Sequence, residues 1–191
     1  MKEAPRRTQR VRTGGRSARV EEAVLAAAAD EFTRQGFASF SIERVARAAD
    51  VSRSTVYRRW PTKVELIRDV LAPVLSRYEK DPDTGSSMGD LEKLLFLIQE
   101  AEELPVGRAF SQASLEAPEE LASLVTEVRT LALAPFVRVL QRAADRQEID
   151  SSEVLNRAHV AFFSLVMWRQ THRDGPSEED CRFLARLCLH R

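Results

Sequence analysis

Apolar side chains recur every three or four positions along most of this chain, and no stretch alternates with the period of two that marks a half-buried strand. Val20, Val24, Leu25, Ala28 and Phe32 form the first such stripe. Gly36 follows where a helix would end in the left-handed conformation, so a first helix is expected from position 17. Ser41 is placed as an N-cap before Ile42, Val45, Ala46 and Ala49, a short second helix. Ser52 caps a third over 53–60, with Val51 and Val56 at the positions of a hydrophobic staple, and Pro61 closes it. Thr62 with Glu65 reads as a capping box opening a fourth helix, whose inner face is Ile67, Val70, Leu71, Val74, Leu75 and Tyr78, with a kink expected at Pro73.

The polar run 81–87, with Pro82 and Gly85, is the clearest break in the chain. Beyond it Leu91, Leu94, Leu95 and Ile98 make a helical face ending near Leu104 and Pro105, and Phe110 and Leu115 belong to a shorter piece. Pro118 is placed at the start of a long helix carrying Leu121, Leu124, Val128, Leu131, Val139 and Leu140, bent at Pro135. Asp150 with Glu153 predicts a second capping box, opening a helix to about Thr171, and the turn at 175–177 leads to a last helix. No internal repeat is visible. The expectation is an all-α protein.

Charge divides the chain where the helices do not. The total is balanced, 29 Lys and Arg against 29 Asp and Glu, but residues 1–60 hold 13 basic against 7 acidic side chains and residues 61–191 hold 16 against 22. A basic end on an acidic body fits a polyanion bound at that end, and equally a basic tail without a partner. Residues 1–16, with Lys2, Arg6, Arg7, Arg10, Arg12 and Arg16, show no period and are expected to be a flexible arm. No run reaches the ~18 apolar residues of a membrane span. The amino terminus is basic rather than apolar, and Cys181 and Cys188 make no disulfide framework. The expectation is a reduced, cytoplasmic protein that engages no membrane.

The third helix carries the chemistry. Arg53, Ser54, Thr55, Tyr57, Arg58 and Arg59 bear hydrogen-bonding side chains, while Val56 and Trp60, four apart, make the one inward face. Two short helices joined by a tight turn are the layout of a helix-turn-helix, whose later helix enters the major groove. The run from Val20 to Leu71 resembles the DNA-binding domain of TetR-family bacterial transcriptional regulators. The matching elements are Ala27-Ala28, Glu31-Phe32, Gly36-Phe37, the stretch 42–49, Val51-Ser52 and the stretch 54–63. The rest of the chain resembles the family only in being helical and of suitable length.

That resemblance implies roles for particular residues. Ser39 and Ser41 would meet phosphate, Ser52, Arg53, Ser54 and Thr55 would open the recognition helix toward base edges, Tyr57 and Arg58 would touch phosphate and bases, and Lys63 would meet the backbone. The division implied is an arm (1–16), a helix-turn-helix domain (17–62) and a helical ligand-binding and dimerisation domain (63–191). Asp50 departs from the family, which usually has Gly there; Asp tolerates the left-handed conformation, and its carboxylate is expected to point away from the duplex. The implied function is a repressor that binds a palindromic double-stranded operator as a homodimer and is released by a small lipophilic effector.

In the body, residues 160–168 are apolar nearly all round, so both sides of that helix need cover. A second chain against the last two helices would supply it, as would one deep core. Cys181 and Cys188 fall on one helix face and are expected in that interface. Phe96, Phe110, Phe136, Phe162 and Met167 offer bulk for an internal pocket, with Gln99, Arg108, Gln112, Arg129 and Asn156 as its polar contacts. His159, His172 and His190 are scattered, and no glycine-rich phosphate loop or nucleophile elbow occurs, so neither metal nor cofactor is expected. Two other functions stay open: a DNA-binding regulator without a small-molecule effector, and an α-helical enzyme.

Overall fold

A computed structural model describes residues 14–116, 119–172 and 175–190, and every regular element in them is helical. The arm through position 13, and Pro118 with the helix start placed on it, lie outside the described residues. Helix α1 spans Gly14–Gln35, so its first turn lies inside the segment expected to be an arm. It ends at Gly36, whose φ of 67° is the left-handed conformation that glycine adopts without a Cβ clash. Helices α2 (Ile42–Ala48) and α3 (Arg53–Arg59) follow. Val24, Ala28, Phe32, Phe40, Val45, Val56 and Trp60 pack beneath them, with Phe32 and Phe40 in an edge-on pair 6.2 Å apart.

The expected kinked fourth helix is two helices, α4 (Lys63–Val70) and α5 (Ala72–Tyr78), meeting at Leu71. Pro73 is the cause: it has no N–H to give and its ring collides with the carbonyl four residues back, so the ladder stops and restarts. The Thr62 hydroxyl caps α4 by accepting from the Glu65 N–H at 3.2 Å.

The body holds α6 (Ser87–Glu103), α7 (Pro105–Glu116), a 3-10 turn (Glu119–Leu121), α8 (Ala122–Asp145), a second 3-10 turn (Ser151–Glu153), α9 (Val154–Thr171) and α10 (Glu178–Leu189). Helix α6 lies against α8 and α10, α8 against α9, and α7 also touches α1. Pro135 is buried within α8, which runs through it unbroken. The capping box expected at Asp150 and Glu153 is absent: Asp150 accepts from the Ser152 N–H and hydroxyl, while Glu153 pairs with Arg157. A reciprocal box sits instead at Ser177 and Asp180.

The break at 81–87 is fastened rather than loose. Asp90 is fully buried and accepts from the Thr84 N–H at 2.6 Å and the Thr84 hydroxyl at 2.9 Å. Arg142 of α8 reaches Asp90 at 3.4 Å, Asp81 at 2.8 Å and the Pro82 carbonyl at 2.5 Å. Burial alone would raise the Asp90 carboxyl; the Thr84 and Arg142 hydrogen bonds outweigh it and hold the group below its ordinary 3.8. A depressed folded-state value means the contribution is present at neutral pH and lost as the pH falls through that value. Asp90→Asn should therefore lower unfolding free energy by about 2 kcal/mol at pH 7, and urea titrations should show the gap closing toward pH 3.

Candidate nucleic-acid interface and body cavity

The α3 surface is built by its two ends and its two apolar residues. Ser52 caps it, accepting from the Thr55 N–H at 3.2 Å, and shares hydroxyl bonds with Ser54 (2.9 Å) and Thr55 (2.8 Å). Val56 is wholly buried and Trp60 nearly so, its indole N–H donating to Asp69 of α4 at 2.8 Å. Helical geometry then turns Arg53, Ser54, Tyr57 and Arg58 to solvent, with Thr55 half-buried. Among the described residues Arg58 has no side-chain hydrogen bond or ion pair, so its guanidinium is available. Arg59 is taken up by Glu21 of α1 and lies 5.3 Å from the Trp60 ring. The turn before α3 places Asp50 at φ 53°, the left-handed conformation expected of it, exposed to solvent.

On α2, Ser41 accepts from the Arg44 N–H at 3.4 Å as the N-cap. Ser39 caps nothing; its carbonyl accepts from the Arg44 guanidinium, which also binds Glu31 through Nε at 2.7 Å. Lys63, first in α4, is engaged on two sides: its ammonium lies 4.1 Å from the Phe37 ring centre and 3.1 Å from Glu120 of the body. One residue of this face escaped the sequence reading. Glu43 accepts from the Ser41 hydroxyl at 3.1 Å and the Tyr57 phenol at 3.2 Å, and lies 3.9 Å from the Arg53 guanidinium. Bonds from its own backbone N–H, Ser41 and Tyr57 hold its carboxyl below the ordinary value, while desolvation and Glu43 raise the Tyr57 phenol. An acid in a first helical turn is favourable on dipole grounds alone, so its identity by itself signals nothing more.

A partly open cavity of about 720 Å³ lies in the body, and it gathers Arg108, Phe110, Gln112, Arg129, Phe162 and Met167. The other expected residues are elsewhere. Phe96 packs half-buried beside Lys93, Gln99 accepts from the Cys181 thiol at 3.6 Å between α6 and α10, and Phe136 is fully buried behind the wall, 6.2 Å from the Phe162 ring. Asn156 is exposed on the first turn of α9. Phe96 and Gln99 lie one to two turns before Glu102 and Glu103, the α6 residues that do line the cavity, so their height along the helix keeps them out of it. Residues unforeseen in the lining include Tyr78, Glu102, Ser111 and His172. The Tyr78 phenol donates to Glu102 at 2.5 Å, and the Ser111 hydroxyl donates to the same carboxylate.

Helix α9 is buried along Ala161, Phe162 and Leu165 but exposes Leu155, Val160, Phe163 and Met167, and α10 exposes Phe183 and Leu187. The cysteines are not on that face. Cys181 and Cys188 point inward and are buried. Among the described residues no helix is long and apolar enough to cross a membrane, and no cluster of three acidic, histidine or cysteine side chains could hold a metal ion.

Comparison with known proteins decides the family. Residues 24–70 match the model for bacterial regulatory proteins of the tetR family, and residues 81–187 match the model for the tetracyclin repressor-like C-terminal domain. The chain belongs to the TetR family of bacterial transcriptional regulators. Its TetR-family relatives include the HTH-type transcriptional regulator AqdR of Rhodococcus erythropolis, 33% identical over 82% of this chain and 77% of that protein. Another is the DNA-binding transcriptional repressor TetR of Mycobacteroides abscessus, 35% identical over 86% of this chain and 87% of that one. Among solved structures, Salmonella enterica GusR shares the fold with a TM-score of 0.71 at 18% identity, covering 90% of this chain and 96% of its own. The flavonoid-responsive regulator FrrA does so at 0.67 and 21%, covering 90% and 94%. The family is one of DNA-binding regulators rather than catalysts.

In this TetR-family member the thiols are placed to be inert. Burial, then the nearby carboxylates of Asp180, Glu178 and Glu92, push Cys181 up to about 11, and burial pushes Cys188 up as well. At pH 8 a thiol of that kind is about 0.1% thiolate. Iodoacetamide should therefore label both cysteines at least ~100-fold more slowly in the folded protein than in urea, as followed by mass spectrometry; equal rates would contradict the inward placement.

Proposed function

We propose that this regulator is a repressor that binds a palindromic operator as a homodimer and leaves it when a small molecule fills the body cavity. DNA reading falls to the head, residues 17–62, and effector binding and dimerisation to residues 63–191. The observation that carries this reading is the α3 surface: Arg53, Ser54, Tyr57 and Arg58 face outward from a helix whose Val56 and Trp60 are sunk in the core. Thr55, half-buried in the first turn of α3, is assigned to base contact on this reading. One such helix reads ~4 base pairs, and a two-fold pair set ~34 Å apart reads an inverted repeat.

Dimerisation is supported by the apolar face left open on α9 and α10. Leu155, Phe163, Phe183 and Leu187 would be covered by the same residues of a second copy, as a two-fold interface requires. Leu187→Glu combined with Phe183→Glu should yield a folded monomer by light scattering, with operator affinity reduced by ~100-fold or more because each half-site is then bound alone. A dimer unaffected by both changes would place the interface elsewhere.

The effector reading is supported by a cavity whose floor is Phe110, Val128, Ala132 and Phe162 and whose polar groups are Glu102, Arg108 and Arg129. A molecule with an apolar body and a few polar groups fits that lining, and FrrA, a neighbour in fold, is named for its response to flavonoids. The test begins with an operator selected from random duplexes. Arg58→Ala should weaken binding by ~10-fold or more because one phosphate then goes unpaired, and Thr55→Ala should change the preferred base. Removing residues 1–13 should flatten the salt dependence, by ~0.9 log units for each phosphate the arm had neutralised, where the arm touches DNA. Ala132→Phe should leave operator binding intact and abolish release by whichever compound releases the parent protein. A complex indifferent to all amphipathic compounds would favour a regulator without an effector.

A further inference from the structure

A carboxylate stands among the side chains that a DNA-reading face would offer to phosphate. Ser41 and Tyr57 each have one hydroxyl proton, and both donate to Glu43, at 3.1 and 3.2 Å. The Arg53 guanidinium lies 3.9 Å from the same group. Arg53 and Tyr57 are four apart on α3, and Ser41 caps α2, so Glu43 bridges the two helices on their exposed side. Nearly half of its side chain, 45%, is open to solvent, which places its charge where a duplex would approach. A phosphate oxygen would offer these donors what Glu43 already gives them, an anionic acceptor.

We propose that Glu43 is an internal competitor for the DNA backbone, occupying Ser41, Arg53 and Tyr57 and so weakening the sequence-independent part of duplex binding. The inference rests on the reading of α3 as the DNA-reading helix. Exchanging one anionic acceptor for another returns little net free energy, so these three donors add less to backbone affinity than their number suggests. The carboxylate also repels phosphate. Both effects are independent of base sequence, and non-specific binding is almost wholly a backbone effect. Base contacts made by Ser54 and Thr55 are unopposed, because neither side chain is bonded to Glu43. Glu43 therefore lowers affinity for operator and non-operator duplexes by about the same factor and leaves the base preference to Ser54 and Thr55.

The test uses the full chain and a fluorescent duplex of about 20 base pairs of random sequence, with anisotropy read across a salt series. Removing one negative charge beside DNA is equivalent to neutralising about one more phosphate, and a dimer loses two, so Glu43→Gln should steepen the log–log salt slope by up to about 1.8 and raise affinity by up to about 30-fold near 0.15 M salt. Glu43→Ala, which also removes the acceptor, should raise affinity at least as much, and helical circular dichroism checks that both variants fold. The increase should shrink in a Tyr57→Phe background, where one competed donor is already gone, and should be of similar size on a selected operator. Unchanged or weaker random-duplex binding in both variants, or an increase identical with and without the Tyr57 hydroxyl, would overturn the proposal. A parent protein that binds no duplex at all would overturn the assignment of α3 itself, a distinguishable failure.

Discussion

The reading head depends on two side chains being buried, Val56 and Trp60. A seven-residue helix such as α3 is too short to hold itself together in water, so its shape and direction come from what it packs against. With those two positions sunk in the core, the remaining side chains have no choice of face. Trp60 adds a directional element, because its indole N–H donates to Asp69 and thereby ties the end of α3 to α4. The staple at Val51 and the Ser52 cap then set where the helix begins.

Helix α4 passes that orientation on to the body through soft contacts. Lys63 meets Glu120 in the turn that leads into α8, and Arg68 meets Glu127 in α8 itself. Pairs this exposed are worth ~0–1 kcal/mol each. Leu71 and Pro73 interrupt the ladder between α4 and α5, and α5 ends in Tyr78, whose phenol is bonded to Glu102 in the cavity. A junction held by small increments can be biased by the ~1–3 kcal/mol that a bound effector typically couples between sites. The rigid part is elsewhere, in the buried Asp90 and Arg142 network that fixes the connection into α6.

The head was legible in the sequence because its signals are local. Caps at Ser41, Ser52 and Thr62, the stop at Gly36 and the inward pair Val56 and Trp60 all act within one or two helical turns. What the sequence left open involves partners far apart in the chain. Glu43 and Tyr57 come from different helices, Lys63 and Glu120 are separated by most of α4 to α7, and Tyr78 finds Glu102 only once α5 packs on α6. The same limit explains the cavity: six of the expected residues line it, while Phe96, Gln99, Phe136 and Asn156 have suitable chemistry about a turn or more away along their helices. Cys181 and Cys188 do share one face of α10, as their spacing implies, but which face is inward is set by α6 and α9.

Phosphate-ethylation interference on a selected operator tests the central claim most directly, because it maps which phosphates the two α3 surfaces need. The account predicts two clusters of sensitive phosphates related by a two-fold axis, their centres ~34 Å apart along one side of the duplex, with both clusters weakened by Arg58→Ala. A single cluster, or a pattern untouched by Arg58→Ala, would contradict it.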